Sequence, residues 1–414
     1  MTTGTHALRP ARLTPATWSF LAASAFSSMG NGLTFPIGAL YLERVLGLPL
    51  GVASLFFGTM AVAGGLASLA GGKAIDRGEP QKYVGGAVLA EALGLLAFAF
   101  ARDAWGVCAA GALIGAGNGL FFTGLTSLLA TLESGETLDQ VFALRYWLIN
   151  LGNGAGALIG GVLVGAVGER VLTPLYLANA ASSVLLAAVL LAPALLGARR
   201  RPPRSASAHG ENRGSERLQW TSAQVAIVLA HGLVVLFGFA LFESVIPFAF
   251  VHEHQASVSL AHVVVGASTI AIVALQIPIA RWVRPWRKAK VLEAQAAVWA
   301  VAALMGLVAV GVAGQSLWCL AALYGACFGA GECLFAAGLQ SLVVRSVPRA
   351  QLGRFNGIVA ASYSAALAFG PALGFALLER VTPRAFWLAV ASVMLVAGQV
   401  WSFVARQSAE LRAT

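Results

Sequence analysis

Twelve apolar runs, each long enough to cross a lipid bilayer, follow one another along this chain with short polar breaks between them. They fall near 17–41, 50–72, 83–101, 104–130, 139–167, 172–197, 220–251, 258–283, 290–313, 316–345, 352–378 and 384–405. A helix needs about 20 residues to span a hydrocarbon core about 30 Å thick. Inside that core each backbone N–H and C=O must be satisfied within the protein, so runs of this length are helices. Only 11% of the residues are charged and 58% are hydrophobic. Soluble domains carry about 25% charged residues, so a water-soluble globular fold is excluded and an all-α membrane protein follows.

The net charge is +10, but the cations lie between the apolar runs and not on one basic face, which speaks for membrane topology and against a nucleic-acid partner. With both termini on one side, 22 of the 27 Lys and Arg fall on that side, leaving Arg44, Arg102, Arg170, Arg380 and Arg384 on the other. The positive-inside bias then makes the termini cytoplasmic. The stretch GARRRPPRSASAHGENRGSERLQ (197–219) is too polar and too rich in Pro, Ser, Gly and Arg to pack a core, and reads as a cytoplasmic linker. It divides the chain into a six-helix bundle over 1–197, a linker over 198–219 and a second six-helix bundle over 220–414. Cys108, Cys319, Cys327 and Cys333 all fall in apolar runs without a CxxC pair or a nearby His, so they read as packing residues and no metal site is expected. The N-terminal residues run into a first apolar segment longer than a signal h-region, read as a retained first helix.

The halves repeat. GNGLFFTGLTSLL (117–129) aligns without gaps to GECLFAAGLQSLV (331–343), with identities that include Gly117/Gly331, Phe121/Phe335, Gly124/Gly338 and Ser127/Ser341. The same shift sets Gly156 on Gly370 and Gly160 on Gly374. Internal symmetry of this kind marks secondary transporters, whose sites lie near the midplane between the repeats.

Three motifs then carry a resemblance. GGKAIDRGEPQK (71–82) has Gly72, Asp76, Arg77 and Lys82 in the pattern of a loop motif after a second helix, with Glu79 and Pro80 departing from it. LINLGNGAGALIGGVLVG (148–165) carries Gly152, Gly156, Gly160 and Gly161 in the pattern of a fifth-helix glycine motif, with Ala157 in place of its proline. FGPALG (369–374) supplies Gly370, Pro371 and Gly374 in the eleventh segment. On these residues the chain resembles the major facilitator superfamily, and within it the twelve-helix drug:proton antiporters. The resemblance implies twelve transmembrane helices in two pseudo-symmetric six-helix bundles, alternating access, and a central cavity lined by the first, fourth, seventh and tenth helices. It also implies a cytoplasmic loop motif at 72–82 and a gating seam on the fifth and eleventh helices, the fifth facing a helix of the other half. One departure stands out: the fourth-helix arginine of many drug antiporters is replaced by Gly111, and the run 104–130 holds no cation.

A charge at the bilayer centre costs at least about 2.5 kcal/mol, so an intramembrane carboxylate is a functional candidate. Glu91, Glu243, Glu293 and Glu332 qualify by position, and Glu293 is explained by its neighbours Lys288 and Lys290. Glu332 occupies the strongest repeat match, where Asn118 is its counterpart. Glu243 precedes Pro247 by four residues, which predicts a bend, and His231 shares its helix. Asn31, between Gly30 and Gly32, is a further cavity candidate, while Arg145, Tyr146 and Asn150 at the start of the fifth run suggest a cytoplasmic gate. Phe26, Phe35, Phe121, Phe122, Phe239, Phe242 and Phe335 offer an apolar lining.

Together these features lead us to expect a monomeric, multi-pass plasma-membrane transporter with both termini cytoplasmic. Its expected action is proton-coupled efflux of a lipophilic or amphipathic small molecule, driven by a proton gradient and needing no cofactor. Glu332, Glu243, Asn118, Asn31, Glu91 and His231 are the expected substrate and proton pathway. An uptake permease or uncoupled facilitator is the alternative. A membrane-embedded enzyme or receptor scaffold is remote, since no nucleophile motif, phosphate loop or metal constellation is present.

Overall fold

A computed structural model describes residues 13–77, 79–133, 136–192, 220–347 and 352–410. The expected linker over 198–219 lies outside the described residues.

Helix α1 (Pro15–Thr34) starts on an N-cap from Thr14, whose side chain accepts from the Thr17 amide, with proline at the first position where no N–H is needed. A 3-10 turn at Phe35–Ile37 joins it to α2 (Gly38–Arg44), and the two complete one crossing. The first half continues with α3 (Leu50–Arg77), α4 (Pro80–Phe100), α5 (Ala104–Leu132), α6 (Glu136–Val167) and α7 (Leu172–Leu191). The second half holds α8 (Ser222–Phe242), α9 (Val245–His252), α10 (Ser259–Trp282), α11 (Lys288–Ala309), α12 (Gln315–Arg345), α13 (Leu352–Arg380) and α14 (Pro383–Glu410). Among the described residues eleven helices are long and apolar enough to span a membrane. The twelfth crossing is α1–α2, which is more polar because Ser24, Ser27, Ser28 and Thr34 are buried against its neighbours. With twelve crossings, α1 starts and α14 ends on one face, called the linker face; the opposite one is the far face.

Within the first half α3 and α4 pack on α5, α1 packs on α6 and α7, and α4 packs on α7. The second half repeats this, with α10 and α11 on α12, α11 on α14, and α8 on α13 and α14. The halves meet along two seams, α6 against α10 and α3 against α13. One apolar core runs through both halves near the far face, including Leu33, Ile37 and Tyr41 with Phe248, Val264 and Phe375. Near the linker face the first half instead has its own cluster around Phe20, Val84, Leu128, Val141 and Leu190. The molecule is therefore closed at the far face.

Two sequence expectations change. The stretch read as a loop with a glycine turn, Gly72 to Arg77, is the last part of α3, so the helix runs straight through the motif. Only Lys82 of that motif has a described side chain, and it pairs with Glu79 at 2.7 Å on the surface of the α4 N-terminus. Among the cysteines, Cys333 is buried and Cys319 is exposed, so packing does not explain all four.

Candidate functional site

The α8–α9 break is the first element of the site. Pro247 has no N–H and its ring crowds the carbonyl four residues back, which belongs to Glu243. The helix stops there: α8 ends at Phe242, Ser244 sits at φ −146°, and its hydroxyl donates to the Ala240 carbonyl at 3.0 Å. Glu243 thus stands at a helix interruption inside the membrane. Four residues before that, Val235–Phe239 forms a π turn, where Gly238 lets the Trp299 ring lie against the backbone.

Glu332 lies in α12, seventeen residues from Gln315 and thirteen from Arg345. Its hydrogen-bond partner is Tyr146, whose hydroxyl donates to Glu332 Oε1 at 3.3 Å. Tyr146 belongs to α6, so this contact joins the two halves. Asn150 donates to the Tyr146 carbonyl at 2.9 Å, one turn along the same helix. Glu332 and Glu243 feel one another electrostatically, and Tyr363 of α13 feels both carboxylates and Tyr146. Four helical segments therefore converge on one polar group of side chains: Tyr146, Glu243, Glu332 and Tyr363.

His231 of α8 is 1% exposed and shares a 2.8 Å hydrogen bond between its Nδ1 and the Ser362 hydroxyl. Its ring faces Phe335 at 5.9 Å and Tyr363 at 6.1 Å between centroids, which sets it at the edge of the same group. Phe239 packs edge-on to Phe335 at 5.1 Å and closes the apolar wall. Phe242 instead stacks on Phe328 at 3.8 Å, within the second half's core. Tyr146 is 42% exposed although it reaches across the seam, so the space it faces is a cleft between the halves on the linker side.

Other expected residues lie elsewhere. Glu91 sits on α4 where it packs against Gly117 of α5, and makes no hydrogen bond or ion pair among the described residues. The Asn31 carbonyl closes the end of α1, accepting from the Phe35 amide, while the buried polar pair nearby is Asn179 donating to the Thr34 hydroxyl at 2.7 Å. Arg145 lies over the Phe121 ring at 5.5 Å, and its Nε is buried without a partner. Gly111, where an arginine was expected by resemblance, faces Phe56 so closely that an added Cβ would be 2.9 Å from its carbonyl oxygen. A longer side chain has no room there.

The glycine seam also differs from expectation. Gly152 and Gly156 face α1 of the same half, at Ala25 and Met29, and not the other half. A step of four residues drifts by about 40° around a helix, so the seam turns as it climbs. By Gly160 and Gly161 it meets His262 of α10, and a Cβ on Gly160 would stand 2.6 Å from His262 Nε2. Gly370 and Gly374 repeat the arrangement by facing Ala240 and Leu241 of α8, and Pro371 lies between them within α13.

Tyr363, Ser362 and His262 were not singled out from the sequence. His262 had a signal, being a second histidine in an apolar run; Tyr363 and Ser362 lie just ahead of FGPALG.

The sequence model of the Major Facilitator Superfamily matches residues 20–251 and 228–413. The chain belongs to that superfamily. Two relatives within it are similar over a third or so of their length. They are the uncharacterized MFS-type transporters YqjV of Bacillus subtilis (strain 168), 29% identical over 146 residues, 35% of this chain and 36% of the relative, and YdeE of Escherichia coli (strain K12), 27% identical over 148 residues, 36% and 38%. Solved major facilitator folds match almost throughout. The nucleoside transporter NupG aligns with TM-score 0.72 at 14% identity over 94% of this chain and 99% of that one. The POT family transporter PepTSo aligns with TM-score 0.73 at 15% identity over 96% and 98%, and a bacterial homologue of the iron transporter ferroportin with 0.70 at 14% over 94% and 98%. At such identities these matches establish the fold, and the sequence model establishes the superfamily.

Proposed function

We propose that this transporter exports a lipophilic or amphipathic small molecule across the plasma membrane in exchange for protons. The carrying observation is the cross-seam contact of Tyr146 with Glu332, beside Glu243 and Tyr363. Like charges repel strongly in a nonpolar seam, so two carboxylates that feel one another form a resting place for one proton. A cationic or polar substrate group competing for the same carboxylates would displace that proton, which is the exchange an antiporter needs. The aromatic wall of Phe239, Phe335 and Tyr363 suits an apolar body beside that charged group. The cation distribution supports cytoplasmic termini, which makes the linker face the cytoplasmic one and the present state inward-facing.

Gly111 favours a second reading, an uncoupled facilitator or uptake permease, since the expected fourth-helix arginine has no space. One experiment separates the two. Growth of cells with and without the gene across a panel of toxic compounds identifies an exported one, and its uptake is then followed in energised inverted vesicles. Accumulation that collapses with a protonophore, and is lost in Glu332→Gln, is the expected result. Equilibration indifferent to the gradient would leave the facilitator.

A further inference from the structure

Closure of the far face brings together residues that the transport site does not use. Glu43 of α2 belongs to the first half, and His252, at the end of α9, to the second. Their side chains meet across the seam at 2.7 Å, Nδ1 to Oε1, with the imidazole stacked on Phe248 at 4.9 Å. That contact is ionic only while the ring is protonated. Below it lies a cavity of about 590 Å³ lined by Glu43, Glu253 and Glu379 as well as His252. Glu43 Oε2 and Glu253 Oε1 are both buried without a hydrogen-bond partner. The other Glu253 oxygen accepts weakly from the Trp387 indole at 3.4 Å.

Among the described residues no cation offsets this arrangement. Arg44 is engaged with Glu169 of its own half at 2.7 Å. Arg380 and Arg384, next in sequence to the cavity lining, point to the surface and are exposed. His254, which follows Glu253, is pushed down by burial and so is a poorer cation than a free histidine. A third histidine, His262, lies deeper in the seam in the notch of Gly160 and Gly161, with Nε2 3.2 Å from the Leu33 carbonyl of the first half.

We propose that Glu43, His252 and Glu253 form a proton-sensitive latch that keeps the far face shut when protons are bound and releases it when they leave. Opening this face must part α2 from α9, which breaks the Glu43–His252 pair and lets water reach Glu253. The imidazole of His252 is the cation of the pair when it carries a proton, and protonation of Glu253 removes a buried charge from the cavity that Glu43 and Glu379 also line. The proton on Glu253 therefore favours the closed state. Burial raises the Glu253 carboxyl to about 7 in the closed form, with the Trp387 hydrogen bond acting the other way, against an ordinary value near ~4.3 once hydrated. A group whose proton is held more tightly in the closed form stabilises that form at low pH. The stabilisation is lost as pH rises through about 7.

The latch concerns the far face alone and stands whether the exchange at Glu332 is proton-coupled or not. It is tested with spin labels at Arg102→Cys, in a far-face loop of the first half, and Gln315→Cys, at the far-face start of α12, in a background with the four cysteines replaced by alanine. A second pair at Thr131→Cys and Arg345→Cys reports the linker face. Distances are measured in nanodiscs from about pH 5.5 to about 8.5, the range in which histidine and raised carboxylates titrate. The expected result is one short far-face distance in acid and a growing long component as pH passes about 7, with the linker-face pair shortening in step. Glu253→Gln, which imitates the protonated carboxyl, is expected to stay closed across the range, and His252→Gln to open at lower pH than the parent. A far-face distance that ignores pH in the parent, or a Glu253→Gln profile identical to the parent's, would overturn the latch. Loss of coupling in Glu332→Gln with the far-face profile intact would separate this device from the transport reaction.

Discussion

The two ends of the seam between the halves are held by different physics. Toward the far face, helices touch through glycine: α6 receives His262 at Gly160 and Gly161, and a Cβ added at Gly154 would lie 2.5 Å from Thr269 Cγ2. Toward the linker face, the described contact is one tyrosine hydroxyl on one carboxylate, at the long distance of 3.3 Å. Close backbone packing in a membrane is strong only while shapes match, because lipid competes for apolar surface equally well. A polar contact is weaker but answers to charge. The difference teaches that the far end of this seam joins close packing to a charged pair at its rim, Glu43 with His252, while the linker end rests on a polar contact alone, which suits a protein that must keep one end shut while the other exchanges solutes.

The largest effect expected is from filling the small-residue seam. Gly156 abuts the Met29 carbonyl, so Gly156→Leu forces α1 off α6, and overpacking of this kind costs about 3 kcal/mol or more. A large fall in thermal stability of the purified protein measures it, with Val162→Leu on the exposed face of the same helix as the control. Gly160→Leu acts first on the seam between halves, where His262 is nearest and the Leu33 carbonyl of α1 stands farther off at 3.3 Å, and should shift the far-face distance to the open form. Equal behaviour of the two glycine variants would erase the distinction between the packing of one half and the gate between halves.

Next comes the polar end. Glu332→Gln removes the carboxylate shared by Tyr146, Tyr363 and Glu243, and is expected to lower gradient-driven transport by about tenfold or more. Glu91→Gln, on a helix that packs chiefly on α5 and α7 of its own half, should leave transport within about twofold. Tyr146→Phe deletes one hydroxyl and should cost about 1 kcal/mol, or about fivefold in the balance between the two faces. A linker-face distance unchanged by this variant would remove the hydroxyl from the gate.

Much of this was legible in the chain. The twelve crossings follow from run length, and the repeat places Glu332 opposite Asn118 with no structural information. What could not be read was which helix each residue faces. The glycines at 152, 156 and 160 announced close packing, yet only the drift of the helix decides that the first two meet α1 and the third meets α10. Tyr146 was placed at a gate because the apolar run begins near 139; the helix begins at Glu136, which sets Tyr146 ten residues, or about 15 Å, inside it. Resemblance likewise predicted a turn at Gly72, but alanines and glycines alone do not stop a helix, and α3 continues to Arg77. Pairing across the seam depends on the register of four helices at once, which no local pattern holds.

The smallest effects should come from ion pairs that do not cross the seam. Lys82–Glu79 joins neighbouring residues of one helix start, and Arg44–Glu169 joins two segments of the first half, each at 2.7 Å. Lys82 is 62% exposed, and exposed pairs contribute between about zero and 1 kcal/mol. Lys82→Gln and Arg44→Gln should therefore shift thermal stability slightly and leave both label pairs where they are. Glu43→Gln, one residue from Arg44 but facing His252 across the seam, should move the far-face distance. If Arg44→Gln moved it as much, the seam would owe its closure to the net charge of that rim and not to the contact that bridges it.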